Sequence, residues 1–246
     1  SAEELAEDAP RTGDKRDYGI RVRGRFTYHR PDGRWVGVDG ATVWVMDEDD
    51  DWDDHLALIV TDANGYFDQT FNYDQSEAPD IYLEIEASNN RVTVEDSGLL
   101  EENYTWVTGT RDDFGGTYID FGDFTGSDEG MHPVLHILTT GTRCYRWYAD
   151  LGYVNLDYVE VQWPEDPDEA SWYNDTFEEI HISTGSHWNE TTIAHEYTHH
   201  WVENYASDAI DDYCNEPERC DEPDDCGHCL WCQESAVDAT GEGFGD

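Results

Sequence analysis

Apolar and polar residues alternate with a period of two along residues 18–107, and this alternation predicts a series of short β-strands. In the first strand three apolar positions alternate with three basic ones: Ile20, Val22 and Phe26 against Arg21, Arg23 and Arg25. We expect these arginines to pair with carboxylates on neighbouring strands. Further strands are expected at residues 41–46, 56–60, 66–71, 81–87 and 91–94, with an Asn64-Gly65 turn before the fourth strand. About seven short strands are typical of a β-sandwich.

Two segments of the second half have helical spacing instead. The first is expected to begin near His132-Pro133, because proline suits the first helical turn, and to end before Gly152. The second covers residues 191–202, with Asn189 as its N-cap. Between the two helices we expect strands at residues 156–161 and 177–182.

The composition changes at two places along the chain. Residues 1–17 are charged and small, which predicts a flexible leader. Residues 108–130 are rich in glycine, aspartate and threonine and predict a boundary between modules. The expected parts are therefore a leader at 1–17, a sandwich at 18–107 and a second module at 108–246.

The chain is strongly acidic. It has 58 acidic and 13 basic residues and a formal net charge of −45, so neither nucleic acid nor an anionic membrane is an expected partner. A disordered acidic chain is disfavoured by 10 Trp, 15 Tyr and 8 Phe. Lys15 is the single lysine, and this composition resembles proteins of extreme halophiles, in which strong salt screens the self-repulsion.

Several weaker features favour an extracellular location, secreted or on the cell surface. No segment has the length of a transmembrane helix and no signal peptide is visible, so the expected location depends on the cysteines and the sequons. Its six cysteines, an even number, suit an oxidising compartment. Sequons at Asn103, Asn174 and Asn189 permit glycosylation there.

The stretch with the clearest chemistry is His195-Glu196-Tyr197-Thr198-His199. On a helix two histidines four residues apart project from one face and can bind a single metal ion, typically zinc. Glu196 then lies beside the metal, where it can accept a proton from the attacking water. The alternative is a surface helix that carries two histidines by chance.

A catalytic zinc site with two histidines needs a third ligand and one open position. Glu234 offers the carboxylate, and Asp238, one helical turn later, could accept a hydrogen bond from a zinc-bound histidine. Together with His195, Glu196 and His199, these residues resemble the gluzincin metallopeptidases, of which thermolysin is the familiar member. The resemblance covers residues 195–238 and implies that His195, His199 and Glu234 bind zinc, that Glu196 is the general base and that Asp238 orients a ligand.

The same resemblance carries expectations about the fold. It implies an α+β zincin-like module, so the expected fold class is multidomain: an all-β sandwich followed by an α+β metallopeptidase module. The order of Gly40, residues 41–45 and residues 61–67 resembles a transthyretin-like or carboxypeptidase-regulatory-like sandwich. In gluzincins the strand before the motif helix is the sheet edge that binds an extended peptide, which implies this role for residues 178–183. An ordinary core strand is the alternative.

The chain departs from the gluzincin pattern after Glu234. No His or Tyr follows this residue, so Tyr205 and Tyr213 are the candidate oxyanion donors. The short remainder also favours a truncated or degenerate module.

Two other segments have ligand chemistry. The acidic residues 47–54 could bind Ca²⁺, although a solvated loop is the favoured interpretation. The cysteines are candidates for disulfides: Cys144, Cys214, Cys220, Cys226, Cys229 and Cys232. There are two alternatives: a structural zinc at Cys226, His228, Cys229 and another cysteine, and an iron–sulfur site at Cys226, Cys229 and Cys232.

The sequence thus predicts a secreted zinc-dependent endopeptidase whose partner is a protein or peptide substrate. A rival hypothesis is an extracellular structural protein with a degenerate, zinc-stapled module and with self-assembly or cell-surface partners. A carbohydrate-binding sandwich is a third possibility, suggested by the ten tryptophans.

Overall fold

A computed structural model of the protein describes residues 18–49, 52–73, 77–98, 102–126 and 129–214, with side chains up to residue 205. Contacts divide these residues into two units. The first contains the described residues up to Glu86 together with Thr105–Glu129, and the second contains Ala87–Tyr104 and those from Gly130 onward. The predicted boundary at residue 108 differs from this division.

Within the described residues there are twelve β-strands and two α-helices. The strands are β1 (Tyr18–His29), β2 (Trp35–Gly37), β3 (Thr42–Asp47), β4 (Asp54–Val60), β5 (Tyr66–Tyr73), β6 (Ile81–Glu86), β7 (Val92–Asp96), β8 (Thr105–Val107), β9 (Tyr118–Thr125), β10 (Val159–Glu165), β11 (Trp172–Asn174) and β12 (Glu179–Ser183). The helices are α1 (His132–Asp150) and α2 (Glu190–Cys214).

The first unit contains two four-stranded sheets. In one of them β1 is antiparallel to β2 and β5 and parallel to β9. The predicted alternation in β1 is confirmed, because its apolar residues Ile20, Val22 and Phe26 are fully buried. The second sheet has the order β4-β3-β6-β8. Alternating apolar residues of this second sheet, such as Val43 on β3 and Leu83 on β6, complete the buried core of the unit.

The arginines of β1 pair with aspartates on the neighbouring strands, as expected. Arg21 Nε donates to Asp68 at 2.7 Å and Arg23 Nε donates to Asp120 at 2.9 Å. These bonds hold the pKa of both carboxyl groups below the ordinary value. The basic face of β1 is therefore neutralised within its own sheet.

The predicted Asn-Gly turn is also confirmed. Gly65 has a φ of +81°, and a Cβ at this position would lie 2.2 Å from the carbonyl oxygen of Phe26. Only glycine fits both the backbone conformation and this close approach.

The second unit contains one four-stranded sheet and both helices. Its strand order is β11-β12-β10-β7, with β10 parallel to β7 and β12, and β11 antiparallel to β12. Helix α1 contacts both α2 and β7. The predicted limits of α1 are confirmed by Pro133 in its first turn and by Gly152, with φ +103°, just after its end. Neither α-helix has the length and hydropathy needed to cross a bilayer.

The predicted fold class is wrong. Strand dominates the described residues, three sheets are accompanied by only two α-helices among them, and an α+β zincin module is not shown.

Two strands, β7 and β9, differ from the predicted arrangement. The segment 91–94 is a strand, but as β7 it pairs in parallel with β10 rather than with the strands of the first unit. The glycine-rich boundary segment contains β9, which pairs with β1 and buries Ile119. Gly122, with φ +68°, lies where the register of this pairing shifts, so its glycine marks a bulge rather than a linker.

Candidate metal centre

Helix α2 carries the His-Glu-x-x-His motif, and its start is capped as predicted. The side-chain oxygen of Asn189 accepts a hydrogen bond from the amide of Thr191 at 3.1 Å. The carbonyl of Asn189 accepts another from the amide of Ile193 at 3.2 Å. The cap fixes where the helix begins and hence which side chains share a face.

One side of α2 is anchored in the second unit. Tyr197 and His200 are fully buried, and His200 Nε2 donates to the carbonyl oxygen of Asp157 at 3.1 Å. Burial lowers the pKa of His200, which favours the neutral ring. The hydroxyl of Tyr148 on α1 lies 2.9 Å from that of Thr198. These contacts hold the helix from behind.

The ligand pair lies on another face of the same helix. The Nε2 atoms of His195 and His199 are 3.2 Å apart, and their rings are nearly perpendicular, at 85°. Both residues are half-buried, while Glu196 between them is 5% exposed. Ligand atoms of all three residues lie within 4.8 Å of one another.

This geometry fits zinc. In a tetrahedral site with Zn–N distances of about 2.0–2.1 Å, two nitrogen ligands lie about 3.3–3.4 Å apart. The observed 3.2 Å between the two Nε2 atoms is close to this spacing. It also suits a hydrogen bond in which one imidazole N–H donates to the other ring. The carboxylate of Glu196 beside the pair is what distinguishes a candidate catalytic centre from a simple pair of histidines.

The surroundings of the pair favour a cation. No lysine or arginine occurs in the sequence between Arg146 and Arg219, a stretch that contains β11, β12 and α2. These elements therefore place no lysine or arginine of their own beside the pair, and a local excess of acidic residues raises the local concentration of cations.

Tyr173 on β11 is the residue of this site that the sequence did not indicate. Its ring is nearly parallel to that of His199, with centroids 6.5 Å apart, and meets the ring of His200 edge-on at 6.0 Å. Its hydroxyl is buried and has no hydrogen-bond partner among the described residues. Burial raises the pKa of Tyr173, and the nearby Glu178 and Glu203 raise it further, so the hydroxyl stays protonated.

The expected substrate-binding edge needs correction. Residues 178–183 were expected at the edge of a sheet, but β12 lies inside its sheet, between β10 and β11. Among the described strands β11 is the edge on this side, and its Trp172 stacks on His181 of β12 with ring centroids 3.9 Å apart. The hairpin could have been recognised from Asn174-Asp175 between two segments that contain aromatic and β-branched residues.

Several predicted site residues lie elsewhere or outside the described part of the chain. The Tyr205 hydroxyl accepts a hydrogen bond from the amide of Asn155 at 3.2 Å, and its ring packs against Tyr153 and Trp201. The side chain of Tyr213 is outside the description, as are Glu234 and Asp238. Their predicted roles stay predictions.

The disulfide candidates are similarly divided. Cys144 is a free thiol within the described residues, and burial raises its pKa to about 12. Cys214 ends α2 without a described side chain, and the other four cysteines lie outside the described residues.

The acidic segment 47–54 is partly described and has partners within the first unit. Asp47 is 5% exposed and accepts hydrogen bonds from the amide of Asp80 at 2.6 Å and from the hydroxyl of Tyr73 at 3.3 Å. Asp53 accepts one from the hydroxyl of Tyr82 at 2.6 Å. These bonds give the carboxylates a structural role, and Ca²⁺ stays a prediction.

Comparison with known proteins does not assign the chain to a family. No family model matches the chain, nor does any curated protein match it significantly. Among solved structures, a 9R-lipoxygenase from Cyanothece PCC8801 is similar over 56% of this chain and 25% of its own, with 16% identity and a TM-score of 0.32. The chain thus spans about a quarter of that lipoxygenase, and a likeness of this degree carries no argument about fold or function.

Proposed function

We propose that this protein is a zinc-dependent peptidase. The observation that supports it is the 3.2 Å spacing of the two Nε2 atoms next to the buried carboxylate of Glu196. Two imidazoles and an adjacent carboxylate on one helix face form the donor set that zinc peptidases use. The proposal rests on the site and not on a fold family.

His195 and His199 would hold the metal, and Glu234 would complete the ligand set. A zinc ion bound there would supply a Lewis acid for the scissile carbonyl and would lower the pKa of the attacking water. Glu196 accepts a proton from that water and delivers it to the leaving amine. Its burial keeps bulk water away from the carboxylate and so favours transfer to the substrate.

The substrate in this proposal is an extended peptide. Among the described strands β11 lies at an edge of its sheet, and it contacts α2, with the ring of Tyr173 beside that of His199. An edge strand offers free backbone groups to a peptide, which can add to the sheet as a further strand. A peptide bound there runs past the ligand pair.

The test combines metal analysis with peptide hydrolysis. Protein purified without added zinc should contain about one zinc per chain, and Glu196→Gln should retain the metal, because Glu196 is not a ligand. Hydrolysis of an unstructured peptide in concentrated KCl should fall about 10²–10⁴-fold in this variant, because the general base is lost. Glu190→Gln, the same change in the first turn of α2, should hydrolyse the peptide like the wild type. A metal-free wild type, or a Glu196→Gln protein as fast as the wild type, would contradict the proposal.

A further inference from the structure

Every fourth residue of β1, from Arg21 to His29, lies opposite an exposed aromatic residue of a neighbouring strand. The pairs are Arg21 with Tyr118 of β9, Arg25 with Tyr66 of β5 and His29 with Trp35 of β2. Residues an even number apart on a strand share a face, so the three aromatic residues lie along one face of the sheet. At about 3.4 Å per residue, they follow β1 at intervals of about 14 Å and span about 27 Å.

These aromatic side chains are both exposed and held in place. Their exposed fractions are 45% for Tyr118, 52% for Tyr66 and 56% for Trp35. Each ring contacts a side chain of β1: Arg23 lies over Tyr118 at 5.3 Å, Arg25 lies over Tyr66 at 5.1 Å, and the ring centroids of His29 and Trp35 are 5.0 Å apart. A ring held in this way loses little side-chain freedom when a ligand stacks on its open side.

The charged groups between the rings are paired with one another. Two arginines of this face bond to aspartates of β5 and β9, as described above, and Arg25 Nη1 lies 3.5 Å from Asp123 Oδ2. These three pairs balance in charge, although the whole chain has a net charge of −45. A guanidinium beside a carboxylate offers hydrogen-bond donors and acceptors next to each other, which suits hydroxyl groups better than an ion. The face therefore favours an uncharged polar ligand.

The arrangement also distinguishes between classes of macromolecule. Nucleic acid requires an excess of basic groups, which paired arginines do not supply. A protein interface has a contiguous apolar core, whereas charged pairs separate these three rings. A chain of sugars matches both features, because each pyranose ring has an apolar face of C–H groups and a rim of hydroxyls. The regular spacing of the rings along β1 suits a ligand that is itself linear and repeated.

We propose that the β1 face marked by Tyr118, Tyr66 and Trp35 binds a neutral linear polysaccharide. The apolar faces of its sugar rings stack on the three aromatic rings, and the hydroxyl groups between them exchange hydrogen bonds with the arginine–aspartate pairs. All of these residues belong to the first unit. The binding function therefore goes beyond the proposed peptidase function and does not depend on it, and Glu196→Gln should bind the polysaccharide like the wild type.

The first test measures binding of the whole chain in concentrated KCl to three neutral polymers, starch, cellulose and chitin, and to anionic alginate. The wild type should bind at least one neutral polymer and not alginate. Tyr66→Ala and Tyr118→Ala should each weaken that binding about tenfold and keep the far-ultraviolet circular dichroism of the wild type. Tyr66→Phe keeps the ring and should bind like the wild type. Trp52→Ala is the matched control, because Trp52 is 87% exposed in the same unit but does not lie in the sheet of β1.

The spacing of the rings supplies a second test, with soluble oligosaccharides of the polymer that binds. By calorimetry, affinity should rise with oligosaccharide length up to a span of about 27 Å, because only longer chains reach all three rings. In Trp35→Ala the rise should end at about 14 Å, the distance between the remaining two positions along β1. The same length dependence in Trp35→Ala and wild type would overturn the three-ring site. A wild type that binds no neutral polymer, or only alginate, would overturn the inference, as would a loss in Trp52→Ala equal to that in the tyrosine variants.

Discussion

The hydroxyl groups of Tyr148 and Thr198 lie 2.9 Å apart and join α1 to the helix that carries the ligand pair. Thr198 already donates to the carbonyl of Ala194 at 2.8 Å, so Tyr148 is the donor between the two hydroxyls. The bond is buried, and Thr198 directly precedes His199 in the helix.

We therefore expect Tyr148→Phe to destabilise the protein by about 0.5–1.5 kcal/mol, because one buried hydrogen bond is lost and Thr198 keeps its own acceptor. Thermal or urea unfolding in concentrated KCl measures the change. Tyr153→Phe is the matched control, since that ring packs on Trp201 and Tyr205 and should keep these contacts. Equal stability of Tyr148→Phe and wild type would show that the hydroxyl pair contributes nothing.

Metal removal should lower stability as well as activity. An ion that binds only the folded chain stabilises it by about 4 kcal/mol when the free ion concentration is about a thousand times the dissociation constant. Dialysis against a chelator should therefore lower the Tm, and added zinc should restore it. In His199→Ala the Tm should be the same with and without chelator, because a ligand is missing. If the Tm of the wild type changes neither with chelator nor with added zinc, His195 and His199 bind no metal.

The location of the ligand pair could be predicted because helix geometry alone brings residues four apart onto one face. The alternation of β1 was equally informative, since a half-buried strand must place Ile20 and Val22 on one side. Tyr173 was beyond such reasoning. Its strand is only three residues long, too short for a period to show, and its approach to His199 depends on the pairing of β11 with β12.

The strand in the glycine-rich segment was missed for a related reason. Glycine usually marks turns, but Gly122 lies at a bulge inside β9, and the pairing of β9 with the distant β1 decides its conformation. The composition of residues 108–130 does not show that this segment pairs with β1. The expected zincin fold failed because it was transferred from a few site residues, and site chemistry recurs on different folds.

The thiol of Cys144 should react slowly in the folded protein. Burial raises its pKa to about 12, so almost no thiolate is present at pH 8, and thiolate is the form that is alkylated. Iodoacetamide should modify this residue many times faster in denaturant than in the native protein, as followed by peptide mass. Modification that needs prior reduction would identify a disulfide at Cys144, and equal rates in both states would mean that the thiol is accessible.

Asp47 should give stability a defined pH dependence. Burial raises its folded-state pKa above the unfolded value of about 3.9. The folded state therefore holds this proton more tightly, so the contribution of Asp47 is present below pH 4 and is lost as the pH rises through the folded-state pKa. Asparagine does not ionise, so Asp47→Asn does not lose stability as the pH rises, and its side-chain oxygen still accepts a hydrogen bond from the amide of Asp80. Its Tm relative to wild type should be higher at pH 7.5 than at pH 4, and a pH-independent difference would contradict the shift.

The last prediction concerns salt. A net charge of −45 places many carboxylates within the Debye length of one another, which is about 10 Å at 0.1 M salt and about 3 Å at 1 M. Salt also weakens exposed pairs such as Arg21–Asp68, but exposed ion pairs contribute little to stability, and only 13 basic residues can form them. Salt should therefore stabilise the protein more by screening the repulsion between carboxylates than it destabilises it by weakening ion pairs. The Tm should rise steeply between 0.1 M and 2 M KCl. Sodium chloride at the same concentrations should act alike if screening is the cause, whereas sucrose of equal osmolality should raise the Tm less. An equal Tm in dilute and concentrated KCl would show that self-repulsion does not limit the stability of this chain.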